Sequence, residues 1–210
     1  MTNADVLLIS DPGYEGVSLL FNLASQYSSN IVWIAAEPPA IIESIVSAYE
    51  FKGRLNVVTP KQWRGYNFVN IMNLNEVSIA ISKAGEEFKE FSLIITLIPE
   101  LLLIHGLEKT YLFMLNTIWK IHNQGGITFA LLTKGAQSVR DEIMMERPFA
   151  CVLRLNKTLA DSGWIRKLVI ETPISTISQE IYEIQVSGFR VDMPEEIKEG
   201  LIQALKVRNH

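Results

Sequence analysis

The chain has 210 residues, 48% of them hydrophobic and 20% charged, with a formal net charge of -4. That composition describes a folded domain with a filled core and argues against a disordered chain. Its lysines and arginines are scattered among carboxylates, so there is no basic field for phosphate backbones, and nucleic acid is not an expected partner. Cys151 is the single cysteine, which leaves no intrachain disulfide or thiolate cage and fits a reducing cytoplasm. MTNADVLL carries no basic region ahead of a long apolar segment. The longest apolar stretch, LIITLIPELLLIHG, is broken by Pro99 and Glu100, short of the roughly 20 residues a spanning helix requires. One soluble cytoplasmic domain over residues 1–210, without membrane contact, is expected.

The run VLLIS (Val6 to Ser10) reads as a buried strand. A glycine-bearing loop follows, and then a helix with Leu20, Leu23, Ala24 and Tyr27 at helical spacing. IVWIAA (Ile31 to Ala36) is the second strand, punctuated by Pro38 and Pro39. A helix is expected from about Ala40 to Phe51, stopped by Gly53, and LNVVT (Leu55 to Thr59) is the third strand. Lys61 to Asn73 has no clear period and reads as a loop with a short strand or turn. A charged helix is expected from Asn75 to Glu90 and a central strand over SLIITLI (Ser92 to Ile98). Tyr111, Leu115, Ile118 and Trp119 mark a helix from Leu107 to His122, and ITFALLT (Ile127 to Thr133) is the next strand. Ser138 to Asp141 has capping-box spacing for a short helix.

Beyond Pro148, CVLRL, IRKLVIE and IYEIQV follow one another without room for crossover helices, which predicts antiparallel pairing. A last helix is expected at DMPEE, capped by Asp192 and Glu195, with Ile197, Leu201 and Leu205 as its apolar stripe. Alternating strands and helices followed by antiparallel strands define an α/β class with a mostly parallel sheet sandwiched by helices.

The stretch Asp11-Pro12-Gly13-Tyr14-Glu15-Gly16-Val17-Ser18 lies between a strand and a helix, the context of a phosphate-binding loop. Against the pattern G-x-x-x-x-G-K-[ST], it keeps Gly16 and Ser18. Asp11 stands at the first glycine and Val17 at the lysine. Val17 brings no charge to a phosphate, and Asp11 repels one by about 1 kcal/mol at roughly 4 Å in water.

On these residues the chain resembles the RecA-like P-loop ATPases, within them the KaiC and archaeal RadA-related branch, over nearly its whole length. It is also similar to small archaeal members of that superfamily, a likeness that supplies no activity. The resemblance implies a RecA-like fold and a magnesium-coordinating Asp at the end of the central strand, where Thr96 stands instead. It implies catalytic glutamates after the second strand. There Glu37 is the one candidate, with Ala36 beside it. It implies a late-strand motif acting on a neighbouring subunit's nucleotide. Arg166, Leu168 and Ile170 fit that motif, whereas Thr172 and Ile174 stand where Lys and Arg belong. The four departures all concern magnesium ATP and point to a pseudo-ATPase that binds a protein or peptide or associates with itself as a homo-oligomer, with no cofactor. Two alternatives stay open. One is a divergent ATPase in which Lys134 or another base replaces the lysine and Glu37 activates water; the other is an accessory recombination or DNA-repair protein.

Several residues carry two readings. Gly13 and Gly16 serve either a tight turn or an anion cradle, and Ser18 caps the helix or holds a metal. Glu37 is a solvated strand-end residue or a base. Pro99, Glu100 and Leu101 open PELLLIHG, whose leucines are core or line a partner groove. Trp63 and Tyr66, in WRGY, stack a ring or anchor a loop. His105, His122 and His210 are far apart in sequence, so no metal site is expected.

Overall fold

The computed structural model describes residues 5–161, 163–171 and 181–207. Nine strands form one sheet in the order β4-β3-β2-β5-β6-β1-β7-β8-β9, with β10 and β11 in a separate hairpin. The strands are β1 (Val6–Ser10), β2 (Asn30–Ile34), β3 (Arg54–Thr59), β4 (Asn67–Phe68), β5 (Phe91–Ile95), β6 (Gly126–Thr133), β7 (Cys151–Ala160), β8 (Gly163–Ile170), β9 (Ile181–Glu183), β10 (Gln185–Ser187) and β11 (Arg190–Asp192). The helices are α1 (Glu15–Tyr27), α2 (Pro39–Ala48), α3 (Leu74–Gly85), α4 (Ile98–Asn123), α5 (Val139–Glu146) and α6 (Glu195–Val207).

The apolar runs of β1, β2, β5 and β6 are buried on both faces, as a parallel sheet between two helical layers requires. Side chains alternate across the pleat. Leu8, Trp33, Ile94 and Phe129 pack with α1, α2 and α6 on one face, while Leu7, Ile34, Ile95 and Ala130 pack with α3, α4 and α5 on the other. Consequently the connections leaving β1 and β2 run over one face and those leaving β6 and β5 over the other. The order therefore reverses direction twice, between β1 and β6 and between β2 and β5, and each reversal opens a crevice at the carboxyl ends of the strands.

The antiparallel end is anchored by β7, which pairs parallel with β1 on one side and antiparallel with β8 on the other. Antiparallel pairing was expected throughout this region, and the β1 contact is what joins it to the main sheet. IYEIQV is two strands rather than one: β9 extends the main sheet and β10 turns away at Ile184 to pair with β11.

The central strand ends at Ile95, short of the expected Ile98, because Ile98 and Pro99 already open α4. Proline is favoured in a first helical turn, where its missing N–H is not needed, so Pro99 starts a helix here instead of breaking a strand. Gly106, at φ 77°, interrupts α4 just before the expected Leu107 start. Ser138 caps α5 by accepting from the Asp141 amide at 3.1 Å, as its spacing predicts. Asp192 does not cap α6; it lies in β11 and pairs with Arg190 at 2.7 Å.

Candidate functional site

The loop from Asp11 to Tyr14 closes the carboxyl end of β1 and turns into α1. Gly13 adopts φ +134°, open only to glycine. A Cβ at Gly16 would lie 2.5 Å from the Ser10 side chain, so this glycine lets α1 start directly against β1. Val17 is 3% exposed and packs in the core. Asp11 is fastened sideways to β7: its amide donates to the Leu155 carbonyl at 3.0 Å, and its Oδ2 accepts from the Lys157 amide at 2.6 Å. Lys134, at the end of β6, lies 3.7 Å from Asp11 Oδ1 and donates to Asn156 Oδ1 at 3.3 Å.

Two cations face the loop from the β7–β8 hairpin. Lys157 and Arg166 sit directly opposite each other in register, an arrangement that is destabilising for like charges on its own. Glu15 lies between them. Its Oε2 takes the Lys157 ammonium at 2.9 Å, and its Oε1 takes Arg166 Nη2 at 3.1 Å and Nε at 3.2 Å. Lys157 also donates to the Pro12 carbonyl at 2.5 Å. Burial pushes the Glu15 carboxyl up, but the hydrogen bonds and charges of Lys157 and Arg166 outweigh it, and the group is held below its ordinary value. The two hairpin cations that face the loop are thus bound to a carboxylate from the loop's own helix.

Ser18 does not cap α1, because it lies one turn inside the helix. Its hydroxyl bonds the Phe189 carbonyl and lies 3.3 Å from the Tyr49 hydroxyl. Tyr49 in turn accepts from the Val191 amide at 2.8 Å and donates to the Val191 carbonyl at 2.9 Å, while Asn22 donates to the same carbonyl at 3.0 Å. The β10–β11 hairpin is thereby tied down beside the helix start, and Tyr14, Arg166 and Phe189 border a cavity of about 300 Å³ beneath its tip.

The second crevice holds Thr96 and Glu37. Thr96 Oγ1 donates to Glu37 Oε2 at 2.6 Å and accepts from the Ala36 amide at 3.2 Å and from Trp33 Nε1 at 3.4 Å. Glu37 is 9% exposed, which corrects the reading of a solvated strand-end residue. Burial pushes its carboxyl up, Thr96 opposes that shift, and the charge of Glu100 adds to it.

Of the expected partner surface, Leu101 is fully buried and offers nothing to a partner, whereas Leu103 is 87% exposed. Pro99 lies in the first turn of α4. Trp63 is exposed, and Tyr66 packs against the core, anchoring its loop. Thr172 and Ile174 lie outside the described residues. Among the described residues no group of three or more His, Cys, Asp or Glu is placed to hold a metal, and no helix is long and apolar enough to cross a membrane. Lys157, Tyr49 and Phe189 were not singled out from sequence. The one signal was the cation in each arm of a hairpin whose register the sequence does not print.

The chain is similar to the KaiC-like protein PH0186 from the hyperthermophilic archaeon Pyrococcus horikoshii OT3, with 17% identity over 91% of this chain and 89% of that one and a TM-score of 0.64. It is also similar to protein PH0321 from Pyrococcus horikoshii, solved in complex with an unknown peptide, with 18% identity over 92% of this chain and 93% of that one and a TM-score of 0.65. At these identities the likeness establishes the fold, a RecA-type, KaiC-like α/β sandwich. No protein-family model matches the chain, and no curated protein sequence does.

Proposed function

We propose that this chain is a RecA/KaiC-like pseudo-ATPase that works by binding a protein or peptide, or by self-association, through surfaces around its strand ends. The observation that carries this reading is the Glu15 carboxylate bonded to both Lys157 and Arg166. A polyphosphate at this loop would have to displace that carboxylate, and it would find Val17 in the core instead of a lysine. Magnesium is no better served. Thr96 offers a neutral hydroxyl, already committed to Glu37, where a hard cation calls for a carboxylate.

Support for a binding role comes from what the fold leaves exposed. Trp63 is 55% exposed beside the second crevice's loops, and Leu112, Leu115 and Trp119 are 52%, 38% and 70% exposed along one side of α4. PH0321, which shares the fold, was solved with a peptide. A phosphate-release assay at high protein concentration tests the reading. The expected result is no magnesium- and ATP-dependent release above buffer. Turnover that disappears in Glu37→Gln would establish the divergent ATPase instead.

A further inference from the structure

Past the break at Gly106, α4 buries Phe113, Met114, Ile118 and Ile121 in the core beside the sheet. Successive helical residues turn by about 100°, so Glu108, Leu112, Leu115 and Trp119 fall together on the opposite side, and all four are exposed. Their spacing of four, three and four residues is that of a coiled-coil seam. The stripe stops where its next position, His122, turns inward to Asp5 at 3.0 Å. Lys120 flanks it, one residue beyond Trp119.

An apolar helix seam in water calls for another helix, and the charges at its ends select which. Among the described residues neither Glu108 nor Lys120 has an ion pair. They cannot meet each other, since they stand about 18 Å apart along the helix. Two copies of α4 laid parallel would set Glu108 against Glu108 and Lys120 against Lys120. Laid antiparallel, about a two-fold axis midway between Leu112 and Leu115, they match at every position. Leu112 of each copy meets Leu115 of the other. Glu108 and Trp119 lie four residues outside those leucines, one on each side, so they also meet, and Lys120 comes within reach of the same carboxylate.

We propose that this face of α4 binds a second copy of the chain, helix against antiparallel helix, with the leucines at the centre and a Glu108–Lys120 ion pair between copies at each end. The Glu108 methylenes cover the exposed Trp119 indole of the other copy while its carboxylate reaches that copy's Lys120. The contact is isologous, so it closes at two copies and does not extend into a filament. The inference rests on the self-association reading above and names its surface and its partner.

Sedimentation equilibrium on the full chain, from micromolar to submillimolar concentration, tests it with wild type, Glu108→Lys, Lys120→Glu and the double reversal. Each single reversal turns two attractions into two repulsions, and the dissociation constant of the dimer is expected to rise about tenfold. The double reversal restores opposite charges and is expected to return to within about threefold of wild type. Glu and Lys are comparable helix formers, and unchanged circular dichroism verifies the fold of each variant. Single reversals that dimerise like wild type, or a double reversal that stays weak, would overturn the pairing. A chain that remains monomeric throughout would overturn it too and leave the face to a different protein. Oligomers insensitive to all three variants would place self-association elsewhere, sinking this inference while the reading it rests on stands. Magnesium- and ATP-dependent turnover in a chain that passes the reversal test would sink the pseudo-ATPase reading and leave the α4 dimer.

Discussion

Lys157 and Arg166 meet across the β7–β8 hairpin, and their mutual repulsion is relieved by one carboxylate, Glu15, which is 17% exposed at its side chain. Replacing it with Gln leaves two partly buried cations without their anion, and Glu15→Gln is expected to lower stability by about 2 kcal/mol at neutral pH. The sign with pH is fixed by direction. The folded carboxyl titrates below its ordinary 4.5, so its contribution is full above that value and is lost as pH falls through the folded one. Thermal melts of wild type and variant should converge in acid; a gap that persists or widens there would refute the assignment. The loop's place after a buried strand was legible in the sequence, as was the tight turn at Gly13. Its filling was not, because Glu15 meets partners 142 and 151 positions away. The burial of Glu37 was hidden for a similar reason: its partner Thr96 follows β5, which lies beside β2 in the sheet but not next to it in sequence.

At the scale of elements, the β10–β11 hairpin lies over the start of α1 and is held there by few groups. Tyr49 both donates to and accepts from Val191, so Tyr49→Phe removes both hydrogen bonds while keeping the ring against Phe21. The variant is expected to lose about 1–3 kcal/mol, with hydrogen exchange accelerated at the Val191 amide and unchanged in β1 and β6. Uniform acceleration would mean that the hairpin is not an independent unit. Most strands were legible because a parallel sheet buried on both faces writes continuous apolar runs. The first turns of α4 were not, since the apolar run SLIITLI continues without a break up to Pro99, a residue that serves equally to end a strand and to open a helix. The break between β9 and β10 was likewise hidden, because one alternating pattern serves two strands in different sheets equally well.

For the whole molecule, strand order decides what the sequence could only suggest. Two direction reversals place the Asp11 loop at one crevice and the Thr96–Glu37 pair at the other, so both lie at the same end of one sheet. The α/β class followed from alternation of strands and helices; the neighbours of each strand did not, since those depend on which face each helix covers. The apolar side of α4 bearing Leu112, Leu115 and Trp119 is expected to mediate self-association. Sedimentation should give a species larger than the monomer for wild type and a shift toward the monomer for Trp119→Glu; identical profiles would remove that surface from the account. The central claim, that the hairpin cations Lys157 and Arg166 already hold Glu15 as their anion and leave no place for a nucleotide, is tested most directly by isothermal titration of magnesium ATP into the wild-type chain. The account predicts no binding heat at millimolar nucleotide, and saturable binding in the micromolar range would contradict it.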